Sequence, residues 1–369
     1  MRAQDLALQR DKYKHLSDAE WRWLLQQVEG RERTADKLPT FAAIEGWWYP
    51  VRLSCEQCSS EMTARYKASL VHGEKAVDLT GGYGVDTYFI SEQFEHTDYV
   101  EQNAELCRIA AHNFADKPIA VHNTTAEEFL ASADRYDVIF LDPARRDSHG
   151  GKVFRLEDCT PNVVELLPDL RTHLTAEGRI LLKLSPMLDL TQAVKALAPL
   201  SWDIHVVAVK NEVKELLLVS GGLGNITAID LANPQQAFVF TREEEANSVS
   251  HLSGTAGLYL YEPNAAILKA GAYKLIGERF GLQKLDANTH LYVSDTLVPD
   301  FPGRLWRITD HKPDKQANVL CRNYPMTPEQ LKKKLHLRDG GTAFVFGCRV
   351  NGKPTLFFAE RAEDIHAEG

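Results

Sequence analysis

No stretch of this sequence approaches the roughly 20 consecutive apolar residues that a membrane-crossing helix needs. The opening residues, Met1-Arg2-Ala3-Gln4-Asp5, are polar where a secretion signal carries an apolar core. Both absences predict a cytoplasmic protein. Cysteine is scarce, with six in 369 residues: Cys55, Cys58, Cys107, Cys159, Cys321 and Cys348. Only Cys55 and Cys58 are closely spaced, and a tetrahedral zinc would need two further ligands at matching spacing. No second such pair exists, so reduced thiols and no metal are expected. Internal repeats and low-complexity tracts are also missing. A general excess of basic charge is lacking too: the net charge of -9 argues against a basic coat, though not against a local basic patch.

What is present is globular in character. Hydrophobic residues make up 44% and charged residues 25%, enough for sizeable cores, and the length suits two or three domains. Charge is unevenly distributed. Between His311 and Arg361 lie Lys312, Lys315, Arg322, Lys332, Lys333, Lys334, Arg338, Arg349, Lys353 and Arg361, against Asp314, Glu329, Asp339 and Glu360. A basic C-terminal part on an otherwise acidic chain predicts a nucleic-acid partner. The Lys332–Lys334 run would add salt-sensitive attraction to phosphate, or is simply a solvated helix face.

The apolar spacing divides the chain. Residues 1–48 read as a helical N-terminal unit, with Ser17 and Glu20 forming a capping box. Residues 49–224 follow as the main domain. Within it short apolar runs alternate with helical stretches, the mark of a parallel sheet. Strands are expected at Ala76–Leu79, Thr97–Val100, Ile119–His122, Val138–Leu141 and Arg179–Leu184, with helices at Ala104–Phe114 and Pro161–Arg171. Ile204–Val209 and Glu215–Val219, separated by five residues, read as a closing hairpin. The glycine-rich run Ser220–Gly224 marks a boundary. Residues 225–310 hold a helical stretch, Ala265–Phe280, and residues 311–369 a last α/β segment around Pro328–Leu335 and Ala343–Phe346.

The first strand runs into Asp78-Leu79-Thr80-Gly81-Gly82-Tyr83-Gly84-Val85-Asp86. Glycines between a strand and a helix let the backbone turn sharply and approach a ligand. A dehydrogenase holds a pyrophosphate there. Here Asp78 and Asp86 flank the loop; carboxylates repel phosphate and welcome a cation, which favours S-adenosylmethionine over NAD. Glu101 ends the second strand about 20 residues on, placed to take ribose hydroxyls, with Gln102 beside it. Thr125-Ala126 follows the third strand, where an adenine edge would lie. The predicted cofactor residues are therefore Asp78, Thr80, Gly81, Gly82, Gly84, Asp86, Glu101, Gln102, Thr125, Ala126 and Asp142.

The fourth strand delivers Asp142-Pro143-Ala144-Arg145-Arg146. Enzymes that methylate amines carry Asp or Asn, then Pro-Pro and an aromatic at this point, and align the amine by hydrogen bonds to the carboxylate and a prolyl carbonyl. Asp142 and Pro143 fit that pattern; Ala144 and Arg145 do not. Arg145 would stack on a base or bind phosphate, Arg146 is a further candidate substrate contact, and Phe154 would supply a platform. A mechanism at C5 of uridine needs a cysteine after the fifth strand. The chain reads Leu182-Lys183-Leu184-Ser185-Pro186-Met187 there, which disfavours it. Lys183 either faces the pocket, as phosphate contact or base, or reaches solvent. In the segment Ser54–Lys67, Gln57, Ser60 or Arg65 could touch the cofactor, and Ser59 or Ser60 caps a helix.

Together these stretches resemble class I methyltransferases, whose layout is a Rossmann-like α/β sheet of parallel strands closed by an antiparallel hairpin. More closely, the chain resembles a family of bacterial methyltransferases with ferredoxin-like and THUMP-like C-terminal domains. The matching residues are Gln57–Lys67, Asp78–Asp86, Leu141–Arg146, Lys183–Met187, Glu262–Gly271, Phe301–Arg304, Arg322–Pro325 and Gly340-Gly341. The resemblance implies a helical N-terminal unit, a catalytic domain and small α/β C-terminal domains. It also implies RNA binding through the THUMP-like part, with Arg322 and Asn323 as candidate contacts. The expected activity is methylation of a base amine in tRNA or rRNA. The rival readings are a protein or small-molecule amine as substrate, and an RNA-binding protein whose methyltransferase fold is idle.

Overall fold

The computed structural model describes residues 3–145 and 156–362. Internal contacts divide it into two compact units, Met1–Asp203 with Glu215–Leu223, and Ile204–Lys214 with Gly224–Gly369.

The first unit begins with helices. Ser17 caps α1 (Asp18–Thr34): its hydroxyl accepts from the Glu20 amide while the Glu20 carboxylate accepts from the Ser17 amide, the expected reciprocal box. Ser60 caps α2 (Glu61–Ala68). A sheet follows: β1 (Lys75–Asp78), β2 (His96–Val100), β3 (Ile119–His122), β4 (Tyr136–Leu141) and β5 (Leu174–Leu184). These five pair in parallel in the order β3-β2-β1-β4-β5. α3 (Val85–Ile90) follows β1, and α4 (Ala104–Asn113) follows β2. Strands β1, β2 and β4 are buried nearly throughout, as strands covered on both faces must be. The order reverses from β1: the chain passes outward to β2 and β3, then crosses back to β4. That is the switch point where open α/β sheets bind ligands.

Two strands follow, β6 (Trp202–Val209) and β7 (Glu212–Ser220), and β7 pairs antiparallel with β5. The reversal between them takes two residues rather than the expected five. Lys210 and Asn211 both have positive φ, and both their amides donate to the Asp230 carboxylate. The side chain that holds this turn lies about 20 residues away, outside any local window. β5 begins at Leu174, five residues before the predicted start, because Leu174 pairs with Tyr136 ahead of the apolar run.

In the second unit, part of β6 pairs in parallel with Asn225–Asp230, which pairs antiparallel with Phe238–Thr241. A separate seven-stranded sheet is ordered Gln283–Asp286, Thr289–Ser294, Tyr259–Pro263, Gly303–Thr309, Lys353–Arg361, Ala343–Val350 and Asn318–Arg322. The last two strands are parallel, joined across the helix Pro328–Leu335, which Thr327 caps with Gln330. Leu260, Trp306 and Phe346 sit in one buried cluster, and Ala317, Leu331 and Val345 in another. The expected helix over Ala265–Phe280 is two short helices, Ala265–Ala270 and Leu275–Arg279. Gly271, left-handed at φ 86°, ends the first as a C-cap glycine does.

Candidate functional site

A cavity of about 440 Å³ opens at the C-terminal ends of β1, β2 and β4. That is within the roughly 300–1,000 Å³ range of pockets that enclose drug-sized ligands. All eleven residues predicted to hold a cofactor line it: Asp78, Thr80, Gly81, Gly82, Gly84, Asp86, Glu101, Gln102, Thr125, Ala126 and Asp142. Gln57 lines it as well, whereas Ser60 caps its helix and Arg65 pairs with Glu61.

The floor is the loop after β1. Gly81 passes so close to Tyr99 on β2 that a Cβ would sit 2.2 Å from its ring, and Gly84 is left-handed at φ 81° and backs onto Phe114. The Tyr99 hydroxyl donates to the Gly82 carbonyl at 2.6 Å, tying loop to strand. Glu101 holds the same loop from the other side: one carboxylate oxygen accepts the Gly82 amide at 2.9 Å, the other the Asn103 amide at 2.7 Å. Each oxygen keeps a lone pair for a ligand. Gly81→Ala should therefore destabilise the protein by about 1–3 kcal/mol through overpacking. Denaturant unfolding would measure this, and an unchanged midpoint would contradict the contact.

The cavity is acidic. Asp78, Asp86, Glu101, Glu127 and Asp142 line it, and among the described lining residues there is no lysine, arginine or histidine. Asp78 is 2% exposed, and burial raises its carboxyl to about 7 despite hydrogen bonds from the Thr87 hydroxyl and the Thr80 amide. Asp86 behaves oppositely. Burial acts to raise it as well, but the nearby Lys67 and Lys183 ammoniums outweigh burial and hold it below the usual carboxylate range.

These lysines belong to a buried charged cluster beneath the cavity. Lys67, on α2 and with no exposed side-chain surface, donates to both oxygens of Glu215 on β7 at 2.7 and 2.8 Å. It lies 3.2 Å from Asp86, whose carboxylate also accepts from the Ser59 hydroxyl at 2.7 Å. Lys183, at the end of β5, lies 3.8 Å from Asp86 and donates to Asp142. Burial works against its charge, yet Asp142, Asp86 and Glu215 together hold it well above the usual lysine range. Glu215 is raised by its burial, with Lys67 and Lys183 opposing. The Asp142 amide in turn donates to the Thr80 hydroxyl at 2.7 Å, fixing the end of β4 against the loop.

Lys183 thus lies against Asp142, largely shielded from solvent, and is not among the residues that line the cavity. Lys67 and Glu215 escaped the sequence reading altogether. Lys67 sits in the noted segment Gln57–Lys67, but nothing local marks it as buried, and Glu215 opens what reads as an ordinary apolar strand.

After Asp142 and Pro143, the pair Ala144–Arg145 forms a short antiparallel bridge with Cys159–Thr160, and Ala144, Thr160 and Pro161 wall that end of the cavity. Arg146 and Phe154 lie outside the described residues. Arg322 and Asn323 belong to the second unit. The Arg322 guanidinium donates to the buried Glu262 carboxylate, which also accepts from Arg304. Asn323 is left-handed at φ 53°, and its amide reaches the Thr289 hydroxyl. All six cysteines are free thiols. Among the described residues no cluster of His, Cys, Asp and Glu could hold a metal ion, and no helix is long and apolar enough to cross a membrane.

Comparison with known proteins agrees in several places. A ferredoxin-like domain model matches residues 259–302 and a THUMP domain-like model residues 303–361. The crystal structure of a "putative methyltransferase" from Porphyromonas gingivalis W83 superposes with a TM-score of 0.84 at 33% identity, covering 94% of this chain and 92% of that one. Two Mycobacterium tuberculosis proteins, each named an uncharacterized S-adenosylmethionine-dependent methyltransferase, are 24% identical over 343 residues, covering 89% of this chain and 92% of theirs.

Proposed function

This chain belongs to the methyltransferase family of the Porphyromonas gingivalis protein, and from that premise we propose that it transfers the methyl group of S-adenosylmethionine to a nucleophile of tRNA or rRNA. The observation that carries the reading is the acidic cavity on the glycine loop, with Asp142 at one end. Its lining suits a cationic cofactor and repels a diphosphate. Bound there, S-adenosylmethionine supplies a methyl group on a cationic sulfur. Gly81, Gly82 and Gly84 would let the backbone approach it. Glu101 would take its ribose hydroxyls with the lone pairs left free by the loop amides. Gln102, Thr125 and Ala126 would border its adenine, and Asp78 and Asp86 would favour its positive charge.

Asp142 would accept a hydrogen bond from the acceptor group and hold it in line with the methyl. Such alignment supplies much of the catalysis in a transfer that needs no covalent enzyme intermediate. RNA is favoured as substrate by the THUMP-like match and by the exposed Lys333, Lys334 and Arg338 in that part.

The test is transfer of labelled methyl groups to total RNA from a strain lacking the protein. Asp142→Ala should lower transfer by about 100-fold or more, and cofactor affinity measured beside it separates a lost acceptor contact from a lost cofactor contact. A labelled RNA species whose labelling survives Asp142→Ala would remove Asp142 from the chemistry. No labelled RNA, with cofactor binding intact, would move the search to proteins and small amines.

A further inference from the structure

We infer that the acceptor is a hydroxyl, the 2′-hydroxyl of a ribose, and that Lys183 and Asp142 are the pair that activates it; the inference rests on the RNA reading above. Five charged groups from distant stretches converge behind the Asp142 side of the cavity: Lys67 before β1, Asp86 after β1, Asp142 after β4, Lys183 at the end of β5 and Glu215 in β7, of which Asp86 and Asp142 reach the cavity lining. Lys183 donates to Asp142 and lies 3.8 Å from Asp86, and Lys67 bridges Asp86 and Glu215 at 3.2 and 2.7 Å. Burying two ammoniums with the Asp86 and Glu215 carboxylates behind the half-exposed Asp142 is expensive, and a carboxylate that only had to hold an amine would need none of this support.

The sign of the charge separates the two acceptor classes. A neutral amine that takes a methyl group becomes cationic before it loses its proton. An ammonium seated on the carboxylate that holds that amine would oppose the developing charge. A hydroxyl runs the other way. It is a weak nucleophile until its proton departs, and negative charge then grows on the oxygen. A fixed, desolvated ammonium beside that oxygen stabilises the transition state without reorganising. Lys183 is such an ammonium, 14% exposed in its side chain and aimed at the residue that meets the acceptor.

In the proposed step the hydroxyl oxygen forms its bond to the methyl carbon as the sulfur–carbon bond breaks, and the sulfur keeps that electron pair as a neutral thioether. The hydroxyl proton passes to the Asp142 carboxylate and from there to solvent. Lys183 stays charged beside the oxygen throughout. Lys67 and Glu215 are positioning residues, fixing Asp86 and through it the Lys183 side chain.

The experiment incubates the full chain and methyl-labelled S-adenosylmethionine with total RNA from a strain lacking the protein, then digests the RNA to nucleosides for mass spectrometry. The expected label is on the ribose, at a phosphodiester that has become resistant to alkali. Label on a base overturns the hydroxyl inference and leaves the RNA reading standing. No label in any RNA, with cofactor binding retained, overturns both. Lys183→Met should lower transfer about 100-fold or more, the scale of losing one preorganised charge-stabilising group, while cofactor affinity holds. Lys183→Arg, which keeps the cation, should recover part of the loss. Ribose label at an unchanged rate in Lys183→Met would remove Lys183 from the mechanism, and a variant that fails to bind cofactor would be judged on Lys183→Arg alone.

Discussion

Lys67→Met should cost about 3–5 kcal/mol of folding stability, the range for removing one partner of a buried ion pair. The ammonium has no exposed surface, grips both oxygens of Glu215 and lies 3.2 Å from Asp86. Without it, two buried carboxylates share only Lys183, which is already committed to Asp142. The physics makes the second half of a mutant cycle sharper than the first. Removing both charges with Lys67→Met and Glu215→Leu should restore a good part of the loss, because an apolar pair of similar volume can match a buried ion pair. Denaturant unfolding of the three variants measures both effects. Additive losses, with no recovery in the double variant, would mean that Lys67 and Glu215 do not act as a pair.

The second large effect is a proton linked to cofactor binding. Asp78 is raised to about 7 by its burial, whereas an exposed aspartate titrates near 3.9. The folded, cofactor-free protein therefore keeps a proton on Asp78 through a window in which the unfolded chain has lost it. In that window the native state binds more protons, so this group's contribution to stability is complete below about pH 4. It falls as pH rises and is lost above about 7. A cation in the cavity favours the ionised form and would expel the proton. S-adenosylmethionine should thus bind more tightly as pH rises from about 5.5 to 7.5, by up to about tenfold per pH unit below the raised pKa, with uptake of a proton by buffer. Titration calorimetry in two buffers of different ionisation enthalpy counts that proton. Asp78→Asn, which cannot titrate, should flatten the pH dependence; a dependence that survives the substitution would assign the proton to another group.

Much of the site was legible because its signals are local. The turn from β1 needs glycine where the backbone passes against Tyr99 and where φ turns positive, and Gly81, Gly82 and Gly84 declare that need within four residues. Asp78, Glu101, Thr125 and Asp142 each follow a short apolar run, so counting runs places them at strand ends. In a parallel sheet those ends converge at one edge, and all four line one cavity. The capping boxes at Ser17 and Thr327 are equally local, each spanning four residues.

What stayed hidden depends on pairing between distant strands. Lys67 and Glu215 stand 148 positions apart, and nothing near either says that one answers the other. They meet only when helix α2 packs against the sheet, where β7 carries Glu215 beside β5 with Leu217 opposite Lys183. The two-residue turn at Lys210-Asn211 likewise depends on the distant Asp230 carboxylate.

The sequence by itself determined the sheet class, the glycine loop after the first strand and the order of the acidic residues along the strand ends, because backbone conformation and strand periodicity are short-range properties. The tertiary structure alone decided that Lys183 turns onto Asp142 and that Lys67 and Glu215 stand behind it. A buried charge takes its partner from whatever the packed strands bring within reach, and that is settled only when the strands pair.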